Sequence, residues 1–200
     1  MTVLALINPL LRMWAIDEVK KDHKAIAIML RVVDTVVADV ATGAEVPISD
    51  LRRIFEFFEV FMNKYHRSLE EQMLKPGSSD PGDTQVAALA SGLVTEHAHE
   101  QNILCTVERA LANWRPEEPS TTSQLLSSLR DYVAFTRNHI QKEDEEVFPL
   151  LEKYFTPTAD EYLQTCYGAI TRDALPNGTA EQIAGTLAEL SRKYLNEEQA

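Results

Sequence analysis

The stretch NHIQKEDEEVFPLLEKYF, Asn138 to Phe155, decides the fold. A helix through it places His139 and Glu143, four residues apart, on one face. When that face turns toward neighbouring helices, the carboxylate is taken out of water, and a buried carboxylate is costly unless something positive compensates it. The stretch therefore asks for a cation, and the rest of the chain has to supply the remaining ligands.

Working outward, apolar residues recur at spacings of three and four rather than two, and Gly, Pro and polar clusters break the pattern only at long intervals. This predicts an all-α chain. A first helix is expected over Ile16 to Ala41, with Ile16, Val19, His23, Ile26, Ala27 and Leu30 in one stripe and Gly43 just past its end. Pro47 with Ser49 or Asp50 marks the start of a second, which runs to the Pro76-Gly77 stop. PGSSDPGD reads as a loop, followed by a third helix from Thr84 to Asn113. A fourth is expected from Thr122 to Phe155, kinked or ended by Pro149, which lacks the amide donor. Two short amphipathic helices follow, near Ala159 to Thr171 and Thr179 to Tyr194. Four long helices on short loops predict an up-down-up-down four-helix bundle, a fold that builds metal sites from side chains on facing helices. The expected organisation is an arm over 1–15, the bundle over 16–155 and a C-terminal helical extension packed on it over 156–200.

The depth of each histidine tests this. His23 lies about 18 residues before the end of its helix and His66 about 17 after the start of the next, so at about 1.5 Å per residue the two face one another. His97 and His139 match in the same way, whereas His66 and His97 differ by about one turn, which the loop between them has to absorb. HRSLE adds Glu70 to His66 as HIQKE adds Glu143 to His139. Four histidines and two carboxylates at one level make a donor set that iron or manganese accepts, and one larger than a single open-sided ion needs. A lone HxxxE arises often by chance in an acidic chain; two of them, with single histidines on the other two helices, do not. His97 shares an apolar stripe with Ala90, Leu93, Val94 and Leu104, whereas His99, about 200° round from it, is expected to face solvent. Glu71, Glu100 and Asp144, beside ligands, are candidates to orient imidazoles. Phe58, Met62, Met73, Phe135 and Phe148 read as core.

The net charge of −12 and the lack of Lys/Arg clusters argue against nucleic acid and against an anionic membrane surface. Cys105 and Cys166 fall in helical segments and read as small buried hydrophobes, with no zinc-finger spacing. The apolar start, MTVLALINPLLRMWAI, is interrupted by Pro9, lacks a positive lead and is too short to span a bilayer; it reads as a packing arm of a cytoplasmic protein.

With these residues in view, the chain resembles the hemerythrin-like family, also called the HHE cation-binding domain. KDHKAI, KYHRSLEEQML, TEHAHEQ and NHIQKEDEEVFPLL match its pattern in order over residues 16 to 155. The resemblance implies that His23, His66, Glu70, His97, His139 and Glu143 ligate a non-haem di-iron centre, two Fe ions bridged by both glutamates and a solvent-derived oxo or hydroxo group. It implies a small-molecule partner: dioxygen, hydrogen peroxide or nitric oxide. The chain departs from the oxygen carriers of the family, which place a second histidine where Gln101 stands and use a longer His-to-Asp spacing on the fourth helix. Oxygen transport is accordingly disfavoured against a stress-related reaction with peroxide or nitric oxide, oxygen sensing or storage, or iron donation to damaged iron–sulfur centres.

Overall fold

The computed structural model describes residues 13–75, 84–154 and 156–195. Most of the N-terminal arm and the PGSSDPGD loop lie outside the described residues. Those that are described form six helices and no strand: α1 (Trp14–Thr42), α2 (Ile48–Met73), α3 (Thr84–Asn113), α4 (Pro119–Tyr154), α5 (Pro157–Ala174) and α6 (Thr179–Tyr194). Around the bundle α1 packs on α2, α2 on α3, α3 on α4 and α4 back on α1, while α5 and α6 lie against α1 and α2. The all-α bundle is as expected.

Local chemistry sets the helix ends. Gly43, at φ 79°, closes α1; its N–H reaches Val40 O, and Ala44 N–H reaches Asp39 O at 2.9 Å, a pairing that needs the left-handed residue. The α1 start is capped from afar, since Asp160 on α5 accepts from the backbone N–H groups of Trp14 and Ala15. Pro119 opens α4 earlier than expected, because a proline in the first turn costs no hydrogen bond. Neither Ser49 nor Asp50 caps α2; Asp50 instead accepts from Lys193 and Tyr194 on α6.

Two stretches widen from α to π geometry: Phe57–His66 within α2 and Glu143–Val147 within α4. The second shows how α4 accommodates Pro149. The helix does not end there, because the wide turn comes where the carbonyl of Glu145 would otherwise meet the proline ring. One stretch ends on His66 and the other begins on Glu143, so both adjoin the expected ligands.

The buried apolar residues fall into two clusters. One holds Met29, Val33, Phe58, Met62, Leu104 and Leu129, the other Ile16, Val19, Leu69, Leu93, Val147 and Phe148. His23 and His97 lie between the two along their helices, and His66 and His139 lie where the two meet, next to Tyr65 of the second cluster and Ile140 of the first. α5 contributes Leu163 to the second cluster, and α6 contributes Ile183 and Leu190 to the first. Three expected core placements differ. Ala27 and Val94 are exposed, and Phe135 is half-buried. Both cysteines are free thiols and half-buried rather than buried.

Candidate metal centre

The six expected ligands meet in the layer between the two apolar clusters. All six are buried, with Glu143 at 1 % and His66 at 0 % exposure. The rings of His23 and His66 are 5.0 Å apart and those of His97 and His139 5.1 Å, the pairs that helix depth predicted. His97 reaches the same cage as His66 despite the expected offset of about one turn between them.

Each glutamate divides its two oxygens between the pairs. Glu70 Oε1 lies 2.8 Å from His66 Nε2 and 3.4 Å from His23 Nε2, while its Oε2 lies 3.3 Å from His97 Nε2. Glu143 Oε2 lies 3.3 Å from His23 Nε2, and its Oε1 is 3.3 Å from His139 Nε2 and 4.0 Å from His97 Nε2. Two ligand groups result, His23, His66, Glu70, Glu143 and Glu70, His97, His139, Glu143; within each, the ligand atoms lie within 4.8 Å of one another.

The residues fit a metal. His66 Nε2, Glu70 Oε2, His97 Nε2, His139 Nε2 and both Glu143 oxygens are buried with no hydrogen-bond partner. So many orphaned polar atoms converging on one place would be very costly in a purely structural core, and a cation removes the cost. Imidazole with carboxylate suits iron or manganese.

Beyond the ligands lies a second ring that circulates with the chain. Asp22 on α1 sits 3.3 Å from His66 Nδ1 on α2, and Glu71 on α2 sits 3.4 Å from His97 Nδ1 on α3. Glu96 on α3 is 2.9 Å from His139 Nδ1 on α4, and Asp144 on α4 is 3.0 Å from His23 Nδ1 on α1. Each of these carboxylates is the sequence neighbour of a cage residue on its own helix; Asp22, Glu96 and Asp144 hydrogen-bond the imidazole of the next helix and leave its Nε2 for the centre, whereas Glu71 approaches His97 Nδ1 without a hydrogen bond. Glu71 and Asp144 were legible in the sequence; Asp22 and Glu96 were missed, although adjacency to a ligand would have found them.

Glu100 was read as a partner for imidazole and is not one. Fully buried, it accepts from Arg67 at 2.8 Å and from Thr136 Oγ1 at 2.5 Å. Gln101 accepts from Arg67 and donates to Cys105 Sγ, so its polar ends are engaged away from the cage. His99 is exposed and meets Phe135 edge-on, as the helical phase predicted. Phe148 stacks on His23 at 5.4 Å and Phe135 on His139 at 6.1 Å, walling the centre with rings.

Without a cation the electrostatics are strained. Burial would lower the His23 imidazole, but Asp144, Glu143 and Glu70 hold it well above its ordinary value. Burial likewise opposes charge on His66, yet Glu70 and Asp22 push it up to about 9. His97 is raised against its own burial by Glu70. Burial disfavours the Glu70 anion too, but His66, His23 and His97 hold it well below the usual carboxylate range. Glu143 goes the other way, raised by burial and by Glu70. The cage holds protons where a metal would carry the positive charge.

A family model, the hemerythrin HHE cation-binding domain, matches residues 15–151. The chain belongs to this family. A search of the curated proteins and one of the solved structures each returned no match. The hemerythrin assignment and the clustered ligands agree on a cation-binding function. No helix among the described residues is long and apolar enough to cross a membrane.

Proposed function

We propose that this hemerythrin-family protein holds two non-haem iron ions, one in each ligand group, and uses them to bind or react with a small oxidant in oxidative or nitrosative stress. The supporting observation is the division of the Glu70 and Glu143 oxygens between the two histidine pairs. A carboxylate serving a single ion has no reason to present its second oxygen to another pair of imidazoles. Iron bound there would supply redox chemistry toward hydrogen peroxide, dioxygen or nitric oxide.

The protein's own part is to place and shield. Asp22, Glu71, Glu96 and Asp144 orient the imidazoles, and Phe148 and Phe135 keep bulk water from the centre. Gln101, engaged by Arg67 and Cys105, supplies no ligand from α3 beyond His97, which leaves the His97 and His139 side with fewer nitrogen donors than the oxygen carriers have. That asymmetry favours reaction over reversible carriage. The test is anaerobic loading with ferrous salt and iron counting, then titration of the same sample with oxygen, peroxide and nitric oxide. Two irons per chain and rapid peroxide consumption are expected; a reversible oxygen spectrum without peroxide turnover would instead make the protein a carrier or sensor.

A further inference from the structure

Chemistry with peroxide exposes a protein to oxidising equivalents, and three oxidisable side chains lead away from the cage. Tyr65 precedes His66 in the chain and is buried. Asp22, in contact with His66 Nδ1, is within electrostatic reach of the same phenol. The Tyr65 hydroxyl donates to Tyr167 Oη at 2.7 Å, and the two ring centres are 6.1 Å apart. Tyr167, on α5, lies 4.9 Å from the indole of Trp14, edge to face. Tyr167 and Trp14 are both half-buried, so the run begins beside a ligand and ends at the surface.

Electron exchange falls off exponentially with separation, and a phenol gives up an electron readily only when its proton has somewhere to go. Through Asp22, Tyr65 shares a carboxylate with the ring of His66, and through Tyr167 Oη it meets the second condition. Tyr132 does not, being fully buried with no hydrogen-bond partner for its hydroxyl. Phe148 and Phe135, the rings nearest the ligands, are not oxidisable in this way.

We propose that Tyr65, Tyr167 and Trp14 form a relay that carries oxidising equivalents from the histidine and glutamate cage to the surface; this rests on the redox reading of that cage. In the first step Tyr65 gives one electron to the centre, its O–H bond breaks, and the proton crosses to Tyr167 Oη as Tyr167 releases its own proton to water. A hydrogen atom then moves back from Tyr167 to Tyr65 across the same bond, leaving the unpaired electron on Tyr167. Trp14 supplies an electron to Tyr167, which regains a proton from water, and the indole N–H gives its proton to water. A thiol in solution returns an electron and a proton to Trp14. Two passes reduce one hydrogen peroxide to two waters and oxidise two thiols to one disulfide.

The test uses the full chain loaded with iron, mixed with one equivalent of hydrogen peroxide, frozen, and read by electron paramagnetic resonance. Peptide mapping after repeated dosing without thiol reads the end of the relay. The wild type is expected to show an organic radical and oxidised Trp14. Tyr65→Phe, which removes one oxygen, should keep its iron but lose both signals; Tyr167→Phe, which takes away the acceptor for the Tyr65 proton, should keep its iron, lose most of the radical and spare Trp14. Trp14 oxidation unchanged in both variants, or a radical on Tyr132, would overturn the relay alone. A chain that takes up no iron, or holds iron and leaves peroxide untouched, would overturn the redox reading and the relay with it.

Discussion

Stripped of metal, the protein should lose stability as pH rises from neutrality, and the cage fixes how much. His66 titrates near 6.5 when unfolded and at about 9 in the fold, where Glu70 and Asp22 outweigh its burial. A folded value raised above the unfolded one contributes stability that is complete below pH 6.5 and is lost as pH climbs through about 9. One unit corresponds to about 1.4 kcal/mol, so this imidazole accounts for about 3 kcal/mol, or about 10 °C of melting temperature for a chain of this size. His23 and His97 are displaced in the same direction, and Glu143, also raised, loses its contribution as pH rises above 4.5. Glu70, held low, sets the acid limb: its contribution is present above 4.5 and disappears as pH falls. The metal-free optimum therefore lies between about pH 4.5 and 6.5. The assay is urea unfolding of chelator-treated protein from pH 5 to 9.5, with Glu70→Gln beside it, which removes the main charge raising His66 and should flatten the alkaline fall. Stability that is level or rising between pH 6.5 and 9 in the metal-free wild type would refute the reasoning.

Three further outcomes follow from the same contacts. Glu70→Ala or Glu143→Ala removes a carboxylate placed between the two histidine pairs and should lower the metal count per chain in elemental analysis; His97→Ala should also deplete it, whereas His99→Ala leaves it unchanged. Asp22→Asn frees the His66 ring and should weaken metal affinity roughly 10–100-fold in a chelator competition, with full loading still reached at saturation. Arg67→Met strands the fully buried Glu100 and should cost about 3–5 kcal/mol in denaturant unfolding, most of it recovered in the double variant Arg67→Met, Glu100→Leu.

Much of this was legible in the sequence, for identifiable reasons. The period of the apolar residues gave six helices, with α3 and α6 bounded as expected, because proline, glycine and polar clusters punctuate the chain wherever a helix stops. The six cage residues were found from spacing and depth, since HxxxE has only one geometry on a helix. What stayed hidden depends on phase or on distant partners. Val94 faces out and Glu100 faces in because the inward stripe of α3 passes through Leu93, His97, Glu100 and Leu104, and a stripe holding a charged residue does not read as apolar. The π stretches leave no period to detect. Asp50 could not be assigned to α6, nor Asp160 to the start of α1, because each contact spans more than a hundred residues.

The circulating carboxylates have a consequence for how metal leaves. Every rod of the bundle sets a carboxylate beside the imidazole of its successor, in hydrogen-bond contact for all but His97, so the four histidines are tied to one another round the ring. If the cage holds two ions as proposed, withdrawing one frees imidazoles on two rods and one oxygen of each glutamate that also serves the other ion. Depletion should thus proceed from fully charged to empty molecules, with singly occupied ones scarce at every stage.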